Sequence, residues 1–197
     1  MLFRSKVKRW LIAVKIEALP KTMLPVCVGM GLGYGITATA QWAPAVLVFL
    51  LAVFLQWAIV LLNDYADREA DVRHAQAFPE LIDERVLIAG VLEPAHVLSA
   101  GLLAGASAFA CAGGLWWLGY SLMPALAAGG LLLIWAYSFA PLRLNYRGGG
   151  EILEVAGTGV VMPLMGYYAM GGVGQIESIG LLLPVVLYRS EEHTSEL

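Results

Sequence analysis

PAVLVFLLAVFLQWAIVLL at residues 44–62, followed without a break by NDYADREAD at 63–71, decides how the rest of the chain is read. The first part carries no charged side chain, and a helix crossing ~30 Å of hydrocarbon needs about 20 mostly apolar residues. The second part crowds Asp64, Asp67, Glu69 and Asp71 just past it. Carboxylates at a membrane boundary are costly unless they meet water, a cation or a partner. The first expectation is therefore a membrane-spanning helix that ends in functional acids.

Working outward, similar apolar blocks lie at 19–40, 95–117, 122–140 and 152–170, and another begins at 179–188. Hydrophobic residues make up 59% of the 197, charged residues only 14%, and mean hydropathy is +0.74. A soluble domain carries about 25% charged residues, too many to square with this chain. The blocks predict an all-α polytopic membrane helical bundle, with five complete transmembrane helices and an interrupted sixth in one domain over 1–188. Net charge is −3 and the basic residues form no nucleic-acid face, so no nucleic-acid partner is expected. Cys27 and Cys111 fall inside apolar blocks and read as small packing residues. The basic start runs straight into further apolar blocks, which is not the pattern of a cleavable signal peptide.

After Tyr188 the chain ends in RSEEHTSEL, polar and unlike anything before it. That string is the translation of AGA TCG GAA GAG CAC ACG TCT GAA CTC, a common sequencing-library adapter. Residues 189–197 are accordingly expected to be non-native, with the reading frame continuing past Tyr188 and the piece inactive as it stands. A natural polar tail is the alternative. The tail's one Arg and three Glu account for −2 of the net charge.

Lys and Arg set the topology. Arg4, Lys6, Lys8, Arg9, Lys15 and Lys21 precede or open the first block; Arg68, Arg73 and Arg85 join the second and third; Arg143 and Arg147 join the fourth and fifth. The intervening turns carry none. The positive-inside rule makes the basic side cytoplasmic, in an integral membrane protein expected in a bacterial inner membrane. Gly29, Gly31, Gly33 and Gly35 in the first block, and Gly101 and Gly105 in the third, read as close-packing positions between helices.

If the second helix continues through NDYADREAD, Asn63, Asp67 and Asp71 recur at i, i+4 and i+8 on one face. Two carboxylates and an amide oxygen are hard donors that suit Mg²⁺, and magnesium characteristically bridges carboxylate to phosphate. A diphosphate substrate follows; an acidic solvated loop is the competing reading, since Glu80, Asp83, Glu84 and Glu93 lie nearby. YSFAPLRLNYRGGGEILE, residues 137–154, places Tyr137, Arg143, Tyr146 and Arg147 on the same side. Their cations could face a diphosphate or merely anchor the chain. Lys15 precedes Leu19-Pro20, a helix start, and could equally snorkel. His74 and His96 have no metal-ligand spacing and read as loop residues. No phosphate loop, nucleophile elbow or H-E-x-x-H pair occurs.

These residues resemble the UbiA superfamily of intramembrane prenyltransferases, whose first acidic motif is N-x-x-x-D-x-x-x-D, here Asn63 to Asp71. Within it the likeness is closest to 1,4-dihydroxy-2-naphthoate polyprenyltransferases of menaquinone biosynthesis. Their R-P-x-x-L-P…G start is similar to Lys15–Pro20 ending at Gly29, and their Y-[ST]-x-x-P-x-x-x-Y-R-G-L-G-E connection to Tyr137–Glu151. Lys15, Ile16 and Gly149 depart from the pattern, replacing Arg, Pro and Leu. The resemblance implies nine helices and a second aspartate motif beyond Tyr188. It also implies a mechanism in which Asn63, Asp67 and Asp71 hold Mg²⁺ against the diphosphate of a polyprenyl donor. Asp67 and Asp71 would be the catalytic carboxylates, Lys15, Arg143 and Arg73 would neutralise the remaining charge, and Tyr137 would line the pocket. Stabilising the leaving diphosphate makes the allylic carbon electrophilic, and an electron-rich quinone precursor attacks it.

Three alternatives compete with this reading. The CDP-alcohol phosphotransferases expect D-G-x-x-A-R, whereas Asp71 is followed by Val-Arg-His. Transporters bind at the bilayer midplane, whereas the ionisable residues here gather at its edge. Another acceptor, such as 4-hydroxybenzoate, stays open within the same superfamily.

Overall fold

A computed structural model describes residues 5–77 and 86–171. The sixth block at 179–188, the polar tail at 189–197, and Glu80, Asp83, Glu84 and Arg85 lie outside the described residues. Each of the five complete apolar blocks folds as a helix, preceded by a short amphipathic one, α1 (Lys6–Ala13). The passages are α2 (Leu19–Thr37), α3 (Trp42–Ala77), α4 (Pro94–Trp117), α5 (Met123–Ser138), and a fifth made of α6 (Gly150–Glu154), a π-helical segment (Val155–Val161) and α7 (Met162–Ala169). No strand occurs among the described residues. α3, α4 and the passage Gly150–Ala169 are long and apolar enough to cross a membrane; α5 is a shorter apolar helix.

α3 runs its 36 residues without interruption. At 1.5 Å per residue it is about 54 Å long, well beyond ~30 Å of hydrocarbon. Asn63 lies about 32 Å from Trp42, so the acidic stripe projects from the far boundary. The helix persists there because DREADVRHAQA holds three Ala and two Arg, both good helix formers. His74 is consequently in the last turns of α3 and His96 in the first turn of α4, not in loops. The opposite end carries exposed Trp42, Trp116 and Trp117, the aromatic belt expected at a membrane interface.

α4 packs along α3 in the most extensive helix contact, and α2 against α7 in the next. The second contact is backbone on backbone. A Cβ on Gly29 would collide with the Pro163 carbonyl, one on Gly33 would lie 2.7 Å from Tyr167 O, and one on Gly166 would strike the Val26 carbonyl. Gly101 meets Leu61 and Leu62 of α3 at close range. Gly31 and Gly35 face open space, so the expectation that all four glycines of α2 serve packing holds for alternate ones only. Between the helices lies a core that includes Val26, Val48, Leu51, Leu55, Leu115, Met123 and Met165. Cys111 packs against it as a free thiol, whereas Cys27, also free, is exposed.

Candidate active site

Two connections and one helix end meet at the end of the bundle where α3 emerges. The first is the turn after α1, where Lys15 adopts a left-handed conformation (φ 49°, ψ 53°) before a 3-10 turn leads into α2. That reversal sends the side chain across to α3, with Lys15 Nζ 3.2 Å from Asp64 Oδ1. Asp64 is buried while Lys15 stays about half exposed. One residue along a helix is a rotation of about 100°. Asp64 therefore faces the turn after α1 while Asn63 and Asp67 face α5 and the connection that follows it.

The second partner is the end of α5. Ser138 Oγ, 1% exposed, donates to Asn63 Oδ1 at 2.9 Å. The third is the α5–α6 connection. Tyr146 OH donates to Asp67 Oδ1 at 2.9 Å, and Asn145 Nδ2 sits 3.4 and 3.5 Å from the two carboxylate oxygens. Burial, then the bond to Asp67 and the negative charges of Asp67 and Asp71, push the Tyr146 phenol up to about 12, against a smaller opposing effect of Arg143. Arg143 is also left-handed (φ 43°). Its Nη2 donates to the Ala66 carbonyl at 3.1 Å, and its guanidinium lies 5.5 Å from the Tyr146 ring centre.

Inward from this polar end runs a cavity of about 260 Å³. Along α3 its wall passes from Asn63 back through Val60, Ile59 and Gln56 to Leu55; along α5, from Ser138 and Tyr137 back through Ile134 and Leu133 to Gly130. Lys15 and Thr22 line it from the α1–α2 side, and Leu153, Glu154, Gly157, Thr158, Val161 and Met162 from the fifth passage. The polar groups thus gather at the boundary, and most of the deeper wall is hydrocarbon.

Of the residues singled out from the sequence, Lys15, Asn63 and Tyr137 line the cavity together. Asp67 is buried one turn further out, held by Tyr146 and Asn145. Asp71 follows on the same face of α3, and Arg73 is exposed beyond it; neither lines the cavity. Arg143 reaches the α3 backbone and does not line the cavity. Sequence reasoning passes over Asp64 as one acid among many, and over Ser138, Asn145, Gln56, Glu154 and Thr158 altogether. Gln56 carries a signal, being the one polar side chain within 44–62.

Among the described residues, no three His, Cys, Asp or Glu side chains converge as a protein-only metal cage. The donors instead suit a hard cation that shares its ligands with a phosphate. A carboxylate offers about four lone-pair sites, so Asp67 keeps acceptor capacity beside Tyr146. The buried Asn145 Oδ1 has no hydrogen-bond partner among the described residues, although its amide nitrogen already touches Asp67. That is a spare hard oxygen next to the central carboxylate, and magnesium takes such donors together with one or two carboxylates and substrate phosphates.

No curated protein and no solved structure matches the chain. The profile of the UbiA prenyltransferase family matches residues 22–189, from the first turn of α2 to beyond α7. Members of that family are polytopic, generally divalent-metal dependent, and pass a prenyl group to an aromatic acceptor. With its acidic stripe at the mouth of a hydrocarbon-walled cavity, this integral membrane chain belongs to the UbiA prenyltransferase family.

Proposed function

We propose that the full-length protein transfers a polyprenyl group from a polyprenyl diphosphate to 1,4-dihydroxy-2-naphthoate, with Mg²⁺, in menaquinone biosynthesis at the cytoplasmic face of a bacterial inner membrane. The observation that carries this reading is the continuity of α3. One unbroken helix forms the apolar wall of the cavity and then presents Asn63, Asp67 and Asp71 beyond it. A ligand with a hydrocarbon tail and an anionic head fits that gradient end to end.

In this reading Asn63, Asp67 and Asp71, with Asn145 as a further oxygen donor, would hold the metal, which when bound would supply charge neutralisation for the leaving diphosphate. Lys15 exchanges its partner Asp64 for a phosphate oxygen, while Arg143 and Arg73 supply positive charge outside the cavity. Ser138 fixes the Asn63 amide by donating to Oδ1. Tyr137 lies between the diphosphate end and the apolar wall, where it shields the electrophilic allylic carbon from water. The acceptor ring attacks that carbon as the bond to the diphosphate oxygen breaks, and the ring regains aromaticity by losing its carboxylate as CO2 or, for an acceptor attacked at a C–H carbon, a proton.

The test is equilibrium binding of farnesyl diphosphate to the full-length protein in nanodiscs, followed by product analysis with 1,4-dihydroxy-2-naphthoate. Binding should require Mg²⁺, disappear with EDTA, and weaken at least tenfold in Asp67→Asn. Binding that ignores both EDTA and Asp67→Asn would overturn the metal–diphosphate assignment. Prenylation of 4-hydroxybenzoate in preference to the naphthoate would overturn the choice of acceptor.

A further inference from the structure

Gln56 is the feature of the cavity that diphosphate and prenyl chain leave unexplained. It is 6% exposed, lines the cavity, and its side chain has no hydrogen bond to another described residue. Seven residues before Asn63 on α3, it lies about 10 Å deeper along the axis, on the apolar stretch of the helix. Polar side chains at that depth ordinarily bond to a neighbouring helix, because lipid offers no partner. A prenyl tail offers none either. The amide therefore waits on a ligand atom that can donate and accept hydrogen bonds.

We infer that Gln56 is the specificity-determining residue for the aromatic acceptor, and that it binds a neutral ring hydroxyl. The inference rests on the prenyl-transfer reading above and adds to it how the acceptor lies. A side-chain amide has both a donor and an acceptor, which matches a hydroxyl oxygen receiving one hydrogen bond and giving another. An anionic substituent is disfavoured at this end, since the one cation among the lining residues, Lys15, stands at the boundary and not beside Gln56. A carboxylate on the ring belongs instead towards the polar boundary of the cavity, where water reaches it. The acceptor is thus held with its hydroxyl deep and any carboxylate near the polar mouth. The fifth passage assists by its π-helical turn, whose Gly157 and Thr158 share the cavity wall with Gln56; π-helical turns recur at functional sites.

The experiment compares binding of 1-naphthol and naphthalene to the full-length protein in nanodiscs, saturated with Mg²⁺ and the unreactive analogue farnesyl thiolodiphosphate. Gln56→Leu removes the amide while suiting an apolar wall, and Gln56→Asn retains an amide on a shorter stem. The ratio of the two affinities, compared between proteins, cancels the ligands' unequal partition into lipid. Wild type should favour the hydroxylated ring about tenfold more than Gln56→Leu does, Gln56→Asn should recover part of that preference, and analogue binding should be equal in all three. An unchanged ratio in Gln56→Leu, with analogue binding intact, overturns the inference alone. Failure of the wild type to bind the analogue overturns the prenyl-transfer reading first. Should Gln56→Leu not yield folded protein, Gln56→Met takes its place beside Gln56→Asn: a lost preference in Gln56→Met supports the inference, and an unchanged one overturns it.

Discussion

The phenol of Tyr146 donates to Oδ1 of Asp67 across 2.9 Å, so the α5–α6 connection closes upon the carboxylate that α3 carries out of the membrane. The bond has a titration signature. Burial first, and then that bond, raise the phenol from its usual 10 to about 12. A raised value favours the protonated form of the folded protein, so any stability it lends is present below pH 10 and lost as pH climbs through about 12. Tyrosinate absorbance, taken as the difference between wild type and Tyr146→Phe, should therefore show a single phenol ionising well above pH 10. A difference curve centred at or below 10 would contradict the geometry.

The Lys15–Asp64 pair should couple weakly in stability and strongly in ligand binding. Lys15 is about half exposed, and ion pairs with such access to water contribute about 0.2–1 kcal/mol. A double-mutant cycle of Lys15→Met and Asp64→Asn should give a coupling below about 1 kcal/mol by unfolding in mixed detergent. The same Lys15→Met should weaken prenyl diphosphate binding several-fold. Lys15→Gly should be no less stable than Lys15→Ala, because the left-handed backbone there disfavours a Cβ by about 1 kcal/mol.

Alternate glycines of α2 should differ sharply. Gly29→Ala and Gly166→Ala drive a methyl into the backbone of the facing helix, with no side chain free to move aside. Overpacking typically costs about 1–3 kcal/mol and sometimes more, and these two belong at or above the upper end. Gly31→Ala and Gly35→Ala meet nothing and should be neutral or slightly stabilising, since Ala favours helix over Gly by about 1 kcal/mol in soluble hosts. Thermal unfolding of the four variants in one detergent decides the matter.

Ser138→Ala should act on metal use more than on folding. It leaves Asn63 Oδ1 without its 2.9 Å donor, freeing the amide to rotate. A Mg²⁺ titration of prenyl diphosphate binding should shift to about three- to tenfold higher concentration, in line with the roughly 0.5–1.5 kcal/mol typical of one hydrogen bond. An unchanged titration would mean that Asn63 does not depend on Ser138 for its orientation.

What can be read from the chain alone follows from the range of each interaction. The shared face of Asn63, Asp67 and Asp71 is a matter of helix phase, which local sequence sets, and the apolar blocks announce their helices directly. The loop reading of His74 fails because α3 continues where its apolar run stops. Beyond Leu62 its persistence rests on Ala and Arg propensity, which hydropathy does not register. Lys15–Asp64 and Ser138–Asn63 join residues 49 and 75 apart in sequence. Those partners depend on how the helices are arranged, which no single helix encodes. Gly29 and Gly31 are chemically identical, and only the position of α7 distinguishes them. The π-helical segment has the same apolar composition as an α-helix, so no pattern of residue types betrays it.

That segment also separates two mechanical duties within one passage. On its far side α7 is keyed to α2 through Pro163 and Gly166, an engagement that tolerates no added atoms. On its near side α6 offers Leu153 and Glu154 to the cavity. A π-helical turn houses one more residue than the α-helical turn it replaces. Removing a single codon between Val155 and Val161 therefore lets the wide turn close to an α-helical one, with α6 and the keyed half both kept near their present faces. The passage can in this way take up a one-residue length change beside the pocket, keeping the scaffold's most sterically exacting joint untouched.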